Sequence, residues 1–486
     1  MRSQPERINL ILAMLLTAMA AGMGWGIRGQ YGHESGAMIA GVLTSLTLVM
    51  LFIPQASSLM AARVAAMMTV AIGIGGTMTY GQTIGLTHNR ELVGNWEALR
   101  WGMLGLMIKG GIWISFAGAL LGMGLGGKRY QPFEMLFIFL AMIGLLYFGL
   151  WWINGPFDPA NRILPKLYFS ASWYFEPDKA DLKPRREVWG GLLIALLGLV
   201  TYVTAYKRDW LATRMALIGF IAGGLGFPGG QCLQAYHSWN AERFSTGDLA
   251  QYTMFQYFNW WNMMETTFGL IFGAVLALGL WLNQKSIHVE SSEPEVSLTP
   301  TVEAILIAIH FGLLLTSEFL RLSGSGAIVS LYVDMGLYMC VLPMIGIVGG
   351  RIWPYAQLLI IVAAPICGKQ IRNLVYGTEP QYALAEGWVT FALLPMGILF
   401  VVTVYLTSSS RRQRAQWFAA TALLTTTWLY FGLNTIFFDF AWPWEKWTIR
   451  TPNQIIFAIC AVCLSLAAVG KLWQYRRLET KHLENV

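Results

Sequence analysis

The sequence predicts an all-α polytopic membrane protein with about 14 transmembrane helices and an internal parallel repeat. Three observations carry this. First, 56% of the 486 residues are hydrophobic and only 12% are charged, against roughly 25% charged in soluble globular chains. Second, uncharged apolar stretches follow one another almost end to end, each near the roughly 20 residues a helix needs to cross a bilayer. They are continuous rather than alternating, which argues against an outer-membrane β-barrel. Third, the formal charge of +7 sits in short basic clusters between these stretches. That is the pattern of a membrane topology, not of a nucleic-acid-binding face.

Taken in order, the apolar windows place spans near 9–26, 36–54, 61–81, 102–127, 133–153, 187–206, 211–229, 263–283, 301–320, 327–349, 354–370, 388–407, 415–436 and 454–473. The first follows Arg2 and Arg7 as a signal peptide would, but no small-residue cleavage site closes it and further spans follow, so an uncleaved helix is expected. The even-numbered spans end at Lys128-Arg129, Lys207-Arg208, Lys285, Arg351, Arg411-Arg412-Gln413-Arg414 and Arg476-Arg477. By the positive-inside rule these ends, and both chain termini, are cytoplasmic, and the expected location is a bacterial inner membrane. The longest loops, 154–186, 230–260, 371–387 and 437–453, then lie outside. They and the adjoining span ends are rich in aromatics such as Trp151, Trp173, Trp239, Trp260, Trp442 and Trp447, which suits an interfacial belt or a stacking platform for a flat ligand. The Ser, Glu and Pro content of 285–300 reads as a cytoplasmic linker between an N-terminal bundle, 1–284, and a C-terminal bundle, 301–486.

The repeat lies within the first bundle. Residues 112–125 align without gaps on 267–280, matching Gly118 with Gly273, Ala119 with Ala274, Leu121 with Leu276, and Gly124-Leu125 with Gly279-Leu280. The preceding spans also correspond, so the repeat is expected to relate 61–127 to 211–283. Residues 73–82 and 223–231 are each expected to end a helix in glycines followed by Gly-Gln, as do 22–30 and, more loosely, 368–370. Helices that break within a bilayer are tolerated only against a cavity or packed protein. The alternative for any one glycine is close helix packing.

Polar residues follow these glycines: Arg28, Gln30, His33 and Glu34, then Gln82, then Gln231 and His237, then Lys369 and Gln370. Within the spans, Lys109 and Asp334 lie roughly 12 Å from the outer ends at 1.5 Å per residue, with Glu265 and Glu318 nearer those ends. Such charges are costly unless paired or wetted, and they mark function often enough to nominate a site. The expected substrate-binding set is Arg28, Gln30, His33, Glu34, Gln82, Lys109, Gln231, His237, Glu265 and Asp334, gathered around one polar cavity in the outer half of the membrane. The stretch Gly24–Gly41, GWGIRGQYGHESGAMIAG, has the density of a family signature.

No HExxH, Walker A loop or GxSxG elbow is present, so no metal, cofactor or ATP-driven step is expected of this chain. Cys460 and Cys463 form a CxxC inside an apolar helix with no histidine nearby and read as packing residues. The leading expectation is a secondary transporter for a small polar solute, anionic or sugar-like. Arg28 and Lys109 are its cationic contacts and Asp334, Glu265 or Glu34 its coupling groups. The alternative is a membrane-embedded transferase acting on a lipid-linked or external sugar substrate. The expected partners are the solute and the lipid bilayer, with homo-oligomerisation left open and no nucleic acid.

Overall fold

The computed structural model describes residues 8–319, 331–332, 334–408, 414–439 and 446–484. Among these no β-strand forms, and the longer helices run in chain order. They are α1 (Leu10–Ile27), α2 (Ala37–Phe52), α3 (Ser58–Gly75), α4 (Trp96–Leu125), α5 (Pro132–Trp152), α6 (Trp189–Tyr206), α7 (Trp210–Trp239), α8 (Trp260–Leu282), α9 (Pro300–Phe319), α10 (Gly336–Gly349), α11 (Trp353–Leu374), α12 (Leu384–Thr407), α13 (Ala415–Phe437) and α14 (Thr451–Glu484). Among the described residues 11 helices are long and apolar enough to cross a membrane. That is fewer than the sequence predicts, for physical reasons. Helices α2 and α10 fall short in length. Helix α13 has 23 residues, but Thr421, Thr425, Thr426, Thr427 and Thr435 dilute its apolar character.

Six helices close a ring in the order α1, α2, α3, α4, α7, α8, with α8 packing back on α1. It consists of three out-and-back hairpins, α1–α2, α3–α4 and α7–α8. Small residues set the ring's tightness. A Cβ at Gly118 would fall on the carbonyl of Met215, one at Gly223 on that of Gly110, and one at Gly273 on that of Thr17. Its centre is a buried aromatic layer: Trp25 meets Trp113, Phe268 and Phe272 with ring centroids 5.1, 4.6 and 5.6 Å apart. Around the ring, α13 packs on α2 and α3, α10 on α5, and α14 on α1 and α13. The most apolar stretch of α3 is 94% buried whereas those of α9, α12 and α14 are 28% buried, so α3 sits in the protein core and the latter three leave most of their apolar surface exposed.

Two of the four glycine-rich segments break as expected and two do not. Helix α1 gives way at Ile27 to a tight turn over Arg28–Tyr31, and α3 stops at Gly75. Helix α7, by contrast, runs on through Pro228 and the 223–231 glycines to Trp239, and 368–370 lies inside α11. The α7 glycines serve packing instead: Gly226 lies against Phe268 and Gly230 against the Met264 carbonyl.

Opposite ends of the ring differ in chemistry. At one end Lys128, Asp209, His288, Arg351 and Arg414 come together, through contacts of Gly126 with Asp209, of Gly127 with His288 and of Arg63 with the Gly350 carbonyl. Lys128, Arg351 and Arg414 thus share this end, whereas Lys183, Arg185 and Arg186 lie at the other, beside Thr79 and Gln82. The 285–300 segment crosses the Lys128 end as a fixed strap. His288 N donates to Leu125 O at 2.8 Å, Glu290 O accepts from Ser57 N at 2.9 Å, and Ser297 and Leu298 both donate to Gly349 O. Arg411, Arg412 and Gln413 lie outside the described residues, as do Trp442 and Trp444.

Candidate functional site

At the other end the broken helices converge. Where α1 ends, its last carbonyls lose their helical donors, and side chains from neighbouring helices replace them. Asn262 of α8 donates to Gly26 O at 2.5 Å and Asn434 of α13 to Ile27 O at 3.4 Å. The turn that follows carries Arg28 into the ring, where it is fully buried (1% exposed). Its guanidinium lies over Trp25 at 4.6 Å, donates to Glu265 at 3.0 Å and to the Tyr80 hydroxyl at 2.5 Å, and reaches His33 Nδ1 at 3.3 Å. One cation therefore ties together all three hairpins: α1 supplies it, Tyr80 follows α3, and Glu265 begins α8. The aromatic layer beneath closes the ring towards the Lys128 end.

The turn's outer side is polar. His33 is exposed, Glu34 half-buried, and Glu34 lies within electrostatic reach of Lys369, Asp334 and Arg28. Asp334 is exposed. Lys369 donates to the Tyr31 carbonyl and faces Glu318 at 3.7 Å, while Arg372 pairs with Glu318 at 3.0 Å. Gln370 donates to Tyr31 Oη at 2.8 Å and to Leu433 O at 2.7 Å. Several buried polar atoms around this turn have no hydrogen-bond partner: Arg28 Nε, Trp25 Nε1, Gln370 Oε1 and Asn434 Oδ1. Buried polar atoms are nearly always paired, so a cluster of unsatisfied ones is a place where a polar ligand can be held.

A second buried cluster stands beside the first, sharing the 79–80 turn. Lys109 pairs with Glu187 at 2.6 Å and donates to Thr83 Oγ1 at 2.6 Å and Thr79 O at 2.8 Å. Glu187 in turn accepts from Ser170 Oγ at 2.8 Å, Phe169 N at 3.0 Å and Trp189 Nε1 at 3.0 Å. Every strong valence is used, so Lys109 pins the 154–188 loop to the ring rather than lining the Arg28 site. Gln82 fastens the same loop, donating to Lys183 O and accepting from Arg185 N, both at 2.9 Å. Gln231 donates to Thr87 Oγ1 at 2.6 Å, and His237 stacks on Trp260 at 4.5 Å within an aromatic cluster that includes Phe244. Of the expected set, the structure brings together Arg28, His33, Glu34, Glu265 and Asp334. It sets Lys109 and Gln82 on the loop anchor and Gln231 and His237 apart. The Gln30 side chain lies outside the described residues.

Tyr80, Asn262, Asn434 and Glu187 were not singled out from sequence. Glu187 left a usable signal, because a lysine as deep as Lys109 requires a carboxylate and Glu187 opens the expected span that follows the long 154–186 loop. Tyr80 left none, since a tyrosine at a span end reads as interfacial.

On the same end, a cavity of about 1020 Å³ lies between the start of α4 and the 162–175 segment, lined among others by Trp96, Glu97, Arg100, Trp101, Leu104, Arg162, Lys166, Trp173 and Tyr174. It contains no histidine, and Glu97 accepts from Tyr174 at 2.6 Å. Among the described residues no group of three or more His, Cys, Asp or Glu side chains could hold a metal ion.

Fold and site together define a polytopic α-helical membrane protein with a buried ion-pair centre near one face. Comparison with protein-family models, curated proteins and solved structures finds no match.

Proposed function

We propose that this chain is a secondary transporter for a small polar solute, preferentially an anion, bound at Arg28. The single observation that carries the reading is the convergence of three helical hairpins on one buried arginine with unsatisfied polar atoms around it. A cation that joins moving parts, exchanges partners with a solute, and sits beside Glu34, Glu265 and Asp334 as coupling groups is what alternating access needs. The aromatic layer of Trp25, Trp113 and Phe268 is the closed side in this reading. Uptake of labelled acetate, succinate, phosphate and glucose into proteoliposomes tests it: one of these should accumulate with wild-type protein and not with Arg28→Gln.

The finer architecture belongs to the same proposal. All fourteen helices cross an inner membrane, the Lys128 end and both termini are cytoplasmic, and the bilayer and solute are the partners. The α3–α4 and α7–α8 hairpins, within 61–127 and 211–283, descend from a parallel duplication. In support, the matched Gly118 and Gly273 both face the neighbouring hairpin, and the matched Gly124 and Gly279 both face their own hairpin partner, at Val64 and Ile218.

The transferase reading is favoured by the outer cavity, which could seat a lipid-linked sugar. It has less support, because acid-base chemistry needs a titratable pair at the substrate. The cavity's carboxylate is engaged by Tyr174, and neither His33 nor Glu34 lines it.

A further inference from the structure

The outer cavity has a composition that the transport proposal does not use. Three cations line it, Arg100, Arg162 and Lys166, against one carboxylate, Glu97, which the Tyr174 hydroxyl already engages. Among the described residues none of the three cations pairs with a carboxylate. Arg162 is held over Trp173 at 5.4 Å, and Trp101 is fixed by donating to Tyr168 O at 2.7 Å. The walls are therefore pre-positioned while the charge is unbalanced.

The cavity's position selects the kind of anion. Arg100, Leu104 and Met107 follow one another at i, i+4 and i+7, so they share a face of α4. Leu104 and Met107 are exposed, and Met107 lies beside Gly224, next to the exposed Ile221 and Leu225 of α7. An apolar, outward-facing strip thus runs from the floor of the cationic cavity along the membrane-spanning surface. A free solute would need the cations alone. A molecule with a charged head and alkyl chains would use both, with aromatic side chains at the interfacial level between them.

We infer that this cavity binds the phosphate-bearing headgroup of an anionic lipid in the leaflet on the site's face. Arg100, Arg162 and Lys166 hold the phosphate, and the acyl chains lie along Leu104, Met107, Ile221 and Leu225.

Native mass spectrometry of the full-length protein, released from detergent after incubation with phosphatidylglycerol or phosphatidylcholine, tests this. The expected result is preferential retention of one phosphatidylglycerol. That retention should fall about tenfold or more in Arg100→Gln/Arg162→Gln/Lys166→Gln and recover in Arg100→Lys/Arg162→Lys. All three side chains are exposed, so the variants should elute as folded protein. Equal retention of the two lipids, or a triple variant that retains phosphatidylglycerol as wild type does, overturns the inference. A protein that binds inorganic phosphate through these residues but retains no phosphatidylglycerol also overturns the lipid assignment, leaving a site for soluble anions.

Discussion

Arg28 and Lys109 are both buried cations, yet their surroundings assign them different work. Lys109 makes an ion pair and three further polar contacts with short-range partners, and Glu187 on the other side of the pair is equally saturated. Removing one member of such a pair leaves an uncompensated buried charge, which costs roughly 3–5 kcal/mol. Lys109→Met should therefore lower the thermal midpoint and loosen the 154–188 loop, whereas Lys109→Met/Glu187→Gln should regain most of the loss. Thermal unfolding of the detergent-solubilised protein measures both, and a double variant no better than the single one would contradict the pairing. Arg28 retains a partnerless Nε and sits over the Trp25 ring, an arrangement suited to exchanging Glu265 for a solute. Its lysine variant keeps charge but loses the planar fork, so Arg28→Lys should reduce uptake by tenfold or more, on the order of the loss of a charge-assisted bidentate contact.

Among the elements, glycines decide how near the helices approach. In the α4–α7 contact, a Cβ at Gly223 would fall on the Gly110 carbonyl, so Gly223→Leu should prevent stable insertion. Gly144 of α5 has nothing within 4 Å of a built Cβ, so Gly144→Ala should be neutral or slightly stabilising. Expression and monodispersity of the two variants provide the comparison. Helices were legible in the sequence as long uncharged runs, and 11 of those among the described residues are long and apolar enough to cross a membrane; the start of the expected 327–349 span lies outside the described residues. What the sequence could not distinguish was a glycine that ends a helix from one that permits contact. GMGWGIRGQ and GGLGFPGGQ look alike, but the first precedes a turn and the second continues for another eight residues of α7. That difference depends on whether a neighbour supplies donors to the freed carbonyls, as Asn262 and Asn434 do for α1. Local sequence does not contain such information. The same holds for the site. Buried charges announced themselves one by one, but their division into an Arg28 centre and a Lys109 anchor depends on Tyr80 and Glu187, which lie far away in the chain.

At the scale of the whole molecule, Lys128, Arg351 and Arg414 lie at one end of the ring and the ion-pair centre at the other, which gives the chain a polarity. In a variant with its five native cysteines replaced, Lys128→Cys should label only from the cytoplasm and Asp178→Cys only from outside. The reverse pattern would invert the topology and put the Arg28 centre on the cytoplasmic side. The ring explains why the centre is where it is: three hairpins can share a charge only where their ends meet, and an aromatic layer below keeps that charge from water on the far side. Transport requires this layer to open in turn, which a catalyst of an outer-face reaction would not require. The most direct test of the account is therefore solute-driven charge movement across proteoliposomes of uniform orientation, using the acetate, succinate and phosphate series. Wild-type protein should give a transient current with one of these anions that disappears in Arg28→Gln at equal insertion. A current that persists unchanged in Arg28→Gln would contradict the account.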